Sequence, residues 1–86
     1  MPEISRFYGI VIKMFFDDHN PPHFHAQYSE HEALIAIRTL AVISGRLPAR
    51  ALDLVAEWTL LHQDELLSLW AKAKTLERLH KLDPLP

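Results

Sequence analysis

The sequence contains no cysteine, which excludes disulfide staples and thiolate metal sites and fits a reducing compartment. Glycine is nearly absent too. Gly9 and Gly45 are the only two, so the chain has no phosphate-cradling Gly-rich loop and no flexible linker. An excess of positive charge is also missing. Nine basic and eleven acidic residues leave a formal charge of −2, unlike the basic footprint of a nucleic-acid binder. That count takes all six histidines as neutral, so mild acid would reverse its sign. The longest apolar run, Ile10–Phe16, is interrupted by Lys13 and is far too short to span a bilayer. No charged-then-apolar leader is visible. The expectation is a cytoplasmic protein that does not enter membranes.

Hydrophobic residues make up 49% of the 86 positions, enough for a packed core. A chain this short buries only about 60% of the surface its unfolded form exposes, so packing must be efficient or a partner must help. One domain over residues 1–82 is expected, with 83–86 as a frayed tail, because Asp83-Pro84-Leu85-Pro86 ends any helix.

The first half reads as strands. Ile4, Tyr8, Ile10, Ile12, Met14 and Phe16 occupy alternating positions over Ile4–Phe16. Asp17-Asp18-His19-Asn20-Pro21-Pro22 stops that pattern, since Asp and Asn favour turns and a residue before proline avoids helix. Alternation resumes over His23–Tyr28, with Phe24, Ala26 and Tyr28 facing one way and His23, His25 and Gln27 the other. Ser29–Glu32 reads as a polar turn and Ala33–Ile37 as a third strand. Arg38-Thr39 is a possible turn into a fourth at Leu40–Ile43, although Ala33–Ala36 also suits a helix.

The second half is helical. Gly45 is expected to end the sheet and Pro48 to open a helix reaching about Leu79. Val55, Trp58, His62, Leu66, Leu69, Ala73 and Leu76 recur every three or four residues. The polar stretch His62–Glu65 marks a kink or a break. The predicted fold is α+β: a three- to four-stranded antiparallel sheet followed by one long or two shorter C-terminal helices packed on one face. The other face is left partly apolar, a surface that could pair with another chain.

Four of the six histidines fall between positions 19 and 31, three of them around a stiff Pro21-Pro22 step. His23 and His25 share a strand face, and three functional readings follow. They could ligate a divalent transition metal such as zinc or nickel, with His19, His31 or a nearby carboxylate as third ligand. They could act as an acid–base pair in metal-independent RNA cleavage, with Arg6, Lys13, Arg38 or Arg46 supporting the phosphate. Or Asp18, Phe24 and Tyr28, with the histidines, could form a recognition surface for a protein or for stacked bases. The plain alternative is a rigid turn whose histidines are satisfied by backbone and carboxylates. That alternative suits His31, His62 and His80 better than the clustered three.

Elsewhere the plain readings dominate. Trp58 and Trp70 read as core anchors or a partner-facing seam. Glu57 and Asp64-Glu65 read as solvated helix charges. Lys72, Lys74, Arg78 and Lys81 complement a helix C-terminus, and could also form a phosphate-contacting edge. Neither a dinucleotide fingerprint nor a nucleophile elbow is present.

The segments Ile4–Ile12, Asp17–His25, Gly45-Arg46-Leu47-Pro48 and Glu57-Trp58 with His62 together resemble the DUF4160 family. The likeness covers nearly the whole chain, and His19, Pro21, Pro22, His23, Phe24 and His25 match the family's signature. The resemblance implies a prokaryotic domain of unknown function, often encoded beside a DUF2442-type protein, as in a toxin–antitoxin pair. It therefore implies a small protein partner, a homo-oligomer or both, and assigns the histidines no established role. The strand–Gly-x-Leu-Pro–helix run is also a little like HicA-type RNA-cleaving toxins, a likeness of fold alone.

Overall fold

The computed structural model describes residues 3–16 and 18–86. Five strands form one antiparallel meander in chain order: β1 (Glu3–Phe7), β2 (Ile10–Lys13), β3 (His23–Tyr28), β4 (His31–Ala36) and β5 (Val42–Arg46). A single helix, α1 (Ala49–Lys74), follows. The fold class is α+β. No described helix is long and apolar enough to cross a membrane.

The sheet has five strands where three or four were expected. The difference arises at Tyr8-Gly9, where the chain turns back on itself and splits Ile4–Phe16 into β1 and β2. Both turn residues have positive φ, 50° and 80°, as a tight primed hairpin turn requires. Tyrosine rarely adopts that conformation, so a Tyr-Gly pair inside an alternating run does not announce a turn. His31 and Glu32, expected in a turn, begin β4, and the turn is confined to Ser29-Glu30. β5 starts at Val42 rather than Leu40. It also runs through Gly45 instead of ending there. Gly45 pairs with Ala33 at φ 78°, and a Cβ on it would run into the Glu32 carbonyl oxygen.

The core lies between α1 and one sheet face. Ile10, Ile12, Phe24, Ala26, Ala33 and Ile35 from the sheet meet Val55, Trp58, Leu66 and Leu69 from the helix. Trp58 is fully buried, with ring centroids 5.4 Å from Phe7 and 5.7 Å from Phe24. Its Nε1–H donates to the Asp83 carbonyl at 2.9 Å, so its one polar atom is satisfied.

The polar stretch in the helix does mark a kink. His62 has φ −125° and ψ 18°, and α1 continues beyond it. Gln63 reaches across to donate to the Ile37 carbonyl at 2.9 Å, tying the bend to the turn after β4. The helix stops at Lys74, five residues short of Leu79. Leu76 is left-handed at φ 61°, and the Glu77 and Leu76 N–H groups donate to the Lys72 and Ala73 carbonyls. That is a Schellman cap made without glycine, so nothing in the composition signals it.

Beyond the cap the chain returns to the sheet. Leu82 is buried and its N–H donates to Ile4 O at 2.7 Å, which covers part of the β1 edge. Residues 83–86, expected as a tail, include two hydrogen-bond acceptors: the Asp83 carbonyl for Trp58 and the Pro86 carbonyl for Tyr8.

Candidate functional site

Alternation along β3 sets the site. Phe24 and Ala26 point into the core and are fully buried, so His23 and His25 share the opposite side, with ring centroids 5.5 Å apart. Burial of Phe24 makes it a core residue rather than the recognition residue considered above. The β2–β3 connection brings Asp18 back over both imidazoles. Asp18 Oδ2 lies 3.1 Å from His23 Nε2 and 3.4 Å from His25 Nε2.

The other nitrogen of each ring is also held. His23 Nδ1 lies 2.9 Å from the Pro21 carbonyl oxygen, and His25 Nδ1 lies 3.3 Å from Glu32 Oε2. Both partners can only accept, as can the Asp18 carboxylate at Nε2, so each ring has an acceptor at both nitrogens. In the tautomer with Nδ1 protonated, the Nε2 lone pairs face Asp18, the arrangement that a metal ion between them requires.

Packing fixes the imidazoles. Trp70 of α1 lies against His23 with centroids 5.1 Å apart, and Phe15 meets His25 edge-on at 4.4 Å. His23 is only 5% exposed, while His25 is partly open to solvent. Lys74, one turn beyond Trp70, donates from Nζ to the Asp18 carbonyl at 2.8 Å, and its Nζ lies 6.0 Å from the Trp70 ring centroid. The C-terminal end of the kinked helix therefore clamps the loop that carries Asp18.

Burial pushes the Asp18 carboxyl up. The His19 N–H and the His25 and His23 imidazoles together outweigh that effect and hold the carboxyl below its ordinary range. Asp18 is thus the anionic member of the cluster at neutral pH.

The other expected residues fall elsewhere. His19 is exposed and reaches the cluster through its backbone N–H, 2.8 Å from Asp18 Oδ1. The third group beside the histidine pair is therefore a carboxylate and not His19 or His31. Asp17, named in the same motif, lies outside the described residues. Arg6 sits on β1 and binds Glu3 with both its Nε and its NH2 group. Tyr28 is at the far end of β3, roughly 16 Å along the strand from His23. There it lines a cavity of about 230 Å³ with Tyr8, Pro48, Arg50, Ala51 and Leu54. His62 packs on Trp58 at 5.2 Å and pairs with Glu65, so it belongs to the helix kink.

Among the described residues, Asp18, His23 and His25 form the one group of three or more His or carboxylate residues whose donor atoms all lie within 4.8 Å of one another. Sequence reasoning missed Glu32, Trp70 and Lys74 as parts of this site. Glu32 could have been found from the β3–β4 pairing, which sets it diagonal to His25. Trp70 and Lys74 lie on the helix beyond the kink, and only tertiary packing decides that they meet the β2–β3 connection and His23.

Fold and site together define a small α+β domain built around a two-histidine, one-carboxylate cluster at one end of its sheet. The chain belongs to the DUF4160 family: residues 9–71, well over half its length, match the family model described as "Domain of unknown function (DUF4160)". That stretch contains Asp18, His23, His25, Glu32 and Trp70. No curated protein and no solved structure matches the chain.

Proposed function

We propose that the domain binds one divalent transition-metal ion through Asp18, His23 and His25, with zinc or nickel favoured by the donor types. The observation that carries this reading is that ligand-capable atoms of Asp18, His23 and His25 all lie within 4.8 Å of one another, with an acceptor, Pro21 O or Glu32 Oε2, at each Nδ1. With Nδ1 protonated in both rings, two Nε2 lone pairs and Asp18 Oδ2 would face one another as three acceptors, an arrangement that calls for a cation between them. Protonating one ring would relieve one contact. A metal ion satisfies all three.

The spacing suits an ion. Ligands about 2.0–2.1 Å from a tetrahedral zinc lie about 3.3 Å apart, close to the 3.1 and 3.4 Å separations at Asp18 Oδ2. Ligating histidines ordinarily give their second N–H to a carbonyl or carboxylate, which fixes the tautomer and raises ligand basicity. Pro21 and Glu32 supply one of each. Three protein ligands leave positions for water or substrate, the pattern of catalytic zinc and non-haem iron sites.

Elemental analysis of protein purified without a histidine tag tests the reading. One ion per chain, lost in Asp18→Asn, is expected. A clean apo protein that takes up no added zinc contradicts it.

A second reading uses the same residues without metal. His25, between the Asp18 and Glu32 carboxylates, would be the acid–base group of an RNA-cleaving toxin in a cytoplasmic two-gene module. Its supporting observation is that carboxylate–imidazole–carboxylate arrangement, which gives the imidazole an acceptor at each nitrogen and orients the ring. Buried His23 would then be structural. Such a module needs a partner, and Leu60 and Leu61, each 63% exposed beside the kink, offer apolar surface to a DUF2442-type protein or a second copy. Growth arrest and RNA loss with the wild type but not with His25→Ala would support this reading. Equal behaviour of the two removes it.

A further inference from the structure

We propose that the open side of the Asp18–His23–His25 centre takes a phosphate-bearing ligand, with Lys13 as the cation that holds it. This inference rests on the metal reading above and names the chemistry of the ligand that completes the site.

Strand register places the lysine. Lys13 of β2 is the direct partner of His25 of β3, so the two side chains rise from the same face with Cβ atoms about 4.5–5.5 Å apart. A lysine stem easily reaches beyond the imidazole to a group bound at its Nε2. Among the described residues Lys13 makes no hydrogen bond and no ion pair, so its ammonium is not committed to a partner. The carboxylate across from it on β1, Glu3, is already engaged by Arg6 at 2.8 and 3.2 Å.

The surrounding charge points the same way. Glu3 sits below its ordinary carboxyl range through its hydrogen bond from Arg6, against the opposing effect of burial, with the fields of Arg6, Lys81 and Lys13 adding. On the β1–β2 side of the site, the Glu3 carboxylate thus feels the positive charge of Arg6, Lys81 and Lys13. On the helix side Lys74 binds the Asp18 carbonyl. Glu32 is the opposing charge beside His25, and its carboxylate oxygen lies 3.3 Å from the imidazole Nδ1.

A divalent ion held by two neutral imidazoles and one carboxylate retains positive charge. It sits beside an uncommitted ammonium. An oxyanion that bridges the two neutralises both, and a phosphate dianion does so better than a carboxylate because it brings two negative charges against the metal and the ammonium instead of one.

The test uses the whole chain loaded with cobalt(II), whose visible absorption reports coordination. Wild type, Lys13→Met and Lys13→Arg are each titrated with cobalt and then with inorganic phosphate or with acetate. Equal cobalt loading by all three shows that the variants fold and keep the centre. The expected result is a saturable spectral change with phosphate in the wild type, roughly tenfold weaker binding in Lys13→Met, and recovery in Lys13→Arg. A wild-type spectrum indifferent to phosphate, or equal phosphate affinity in Lys13→Met, overturns the inference and leaves the metal reading standing. Acetate binding as tightly as phosphate overturns the assignment to phosphate. Failure of the wild type to bind cobalt removes the metal reading and this inference with it.

Discussion

At one end of β3, His23 and His25 face Asp18 across a gap small enough for an ion; at the other, Tyr28 lines a cavity of about 230 Å³ with Tyr8 and Arg50. The cavity is lined by aromatic and aliphatic side chains with one charged residue, Arg50. Tyr8 turns its hydroxyl to the Pro86 carbonyl. At the histidine end Asp18 Oδ2 meets the Nε2 atoms of both imidazoles, and the ligand-capable atoms of all three residues lie within 4.8 Å of one another. Convergence of groups able to ligate an ion separates a candidate for chemistry from a dent in the surface.

The largest expected effect breaks both ends at once. Trp58 is fully buried against Phe7 and Phe24 and binds the C-terminal segment, so Trp58→Ala should cost about 3–5 kcal/mol in urea unfolding. For a domain of this size that is much of the total stability. Next comes a change confined to the histidine end. Asp18→Asn should lower zinc affinity at least ~100-fold in a competition titration, since it removes the anionic ligand. Tyr28→Ala, at the cavity end, should leave that affinity unchanged. Glu32→Gln should lie between them, with about a tenfold loss, because it loosens His25 without removing a ligand. If Tyr28→Ala weakened zinc as much as Glu32→Gln, the separation between the two ends would be wrong.

Much of this architecture can be read from the chain, for reasons tied to particular residues. Period-2 alternation put His23 and His25 on one face because Phe24 and Ala26 must enter the core. Helical spacing found Val55, Trp58, Leu66, Leu69 and Ala73, all of them buried, and the polar break at His62–Glu65 found the kink. Leu76, the last member of that series, lies beyond the cap and is exposed. What could not be read is where local rules are overridden. Tyr8 and Leu76 adopt left-handed conformations that composition reserves for glycine, so a hairpin and a helix end were hidden. Asp18 was visible as a neighbour of the motif, but its approach to both imidazoles depends on the fold of the β2–β3 connection. Trp70 and Lys74 come from more than forty residues away, and tertiary packing alone brings them in.

The smallest expected effect lies outside both ends. Glu3 titrates below its ordinary range, so its pairing with Arg6 contributes above the unfolded carboxyl pKa and is lost as pH falls through the lower folded value. The pair is at the surface, so Glu3→Gln should barely move the melting temperature at neutral pH. Melting curves of wild type and Glu3→Gln should converge in acid. A large difference that persists in acid would mean that Glu3 acts through something other than its charge.

The central claim is that Asp18, His23 and His25 hold one metal ion, and anomalous scattering from zinc-soaked crystals tests it most directly. The account predicts a single strong peak within about 2.0–2.2 Å of His23 Nε2, His25 Nε2 and an Asp18 carboxylate oxygen. A peak at His62 and Glu65 instead, or no peak at the cluster with zinc in excess, would contradict it.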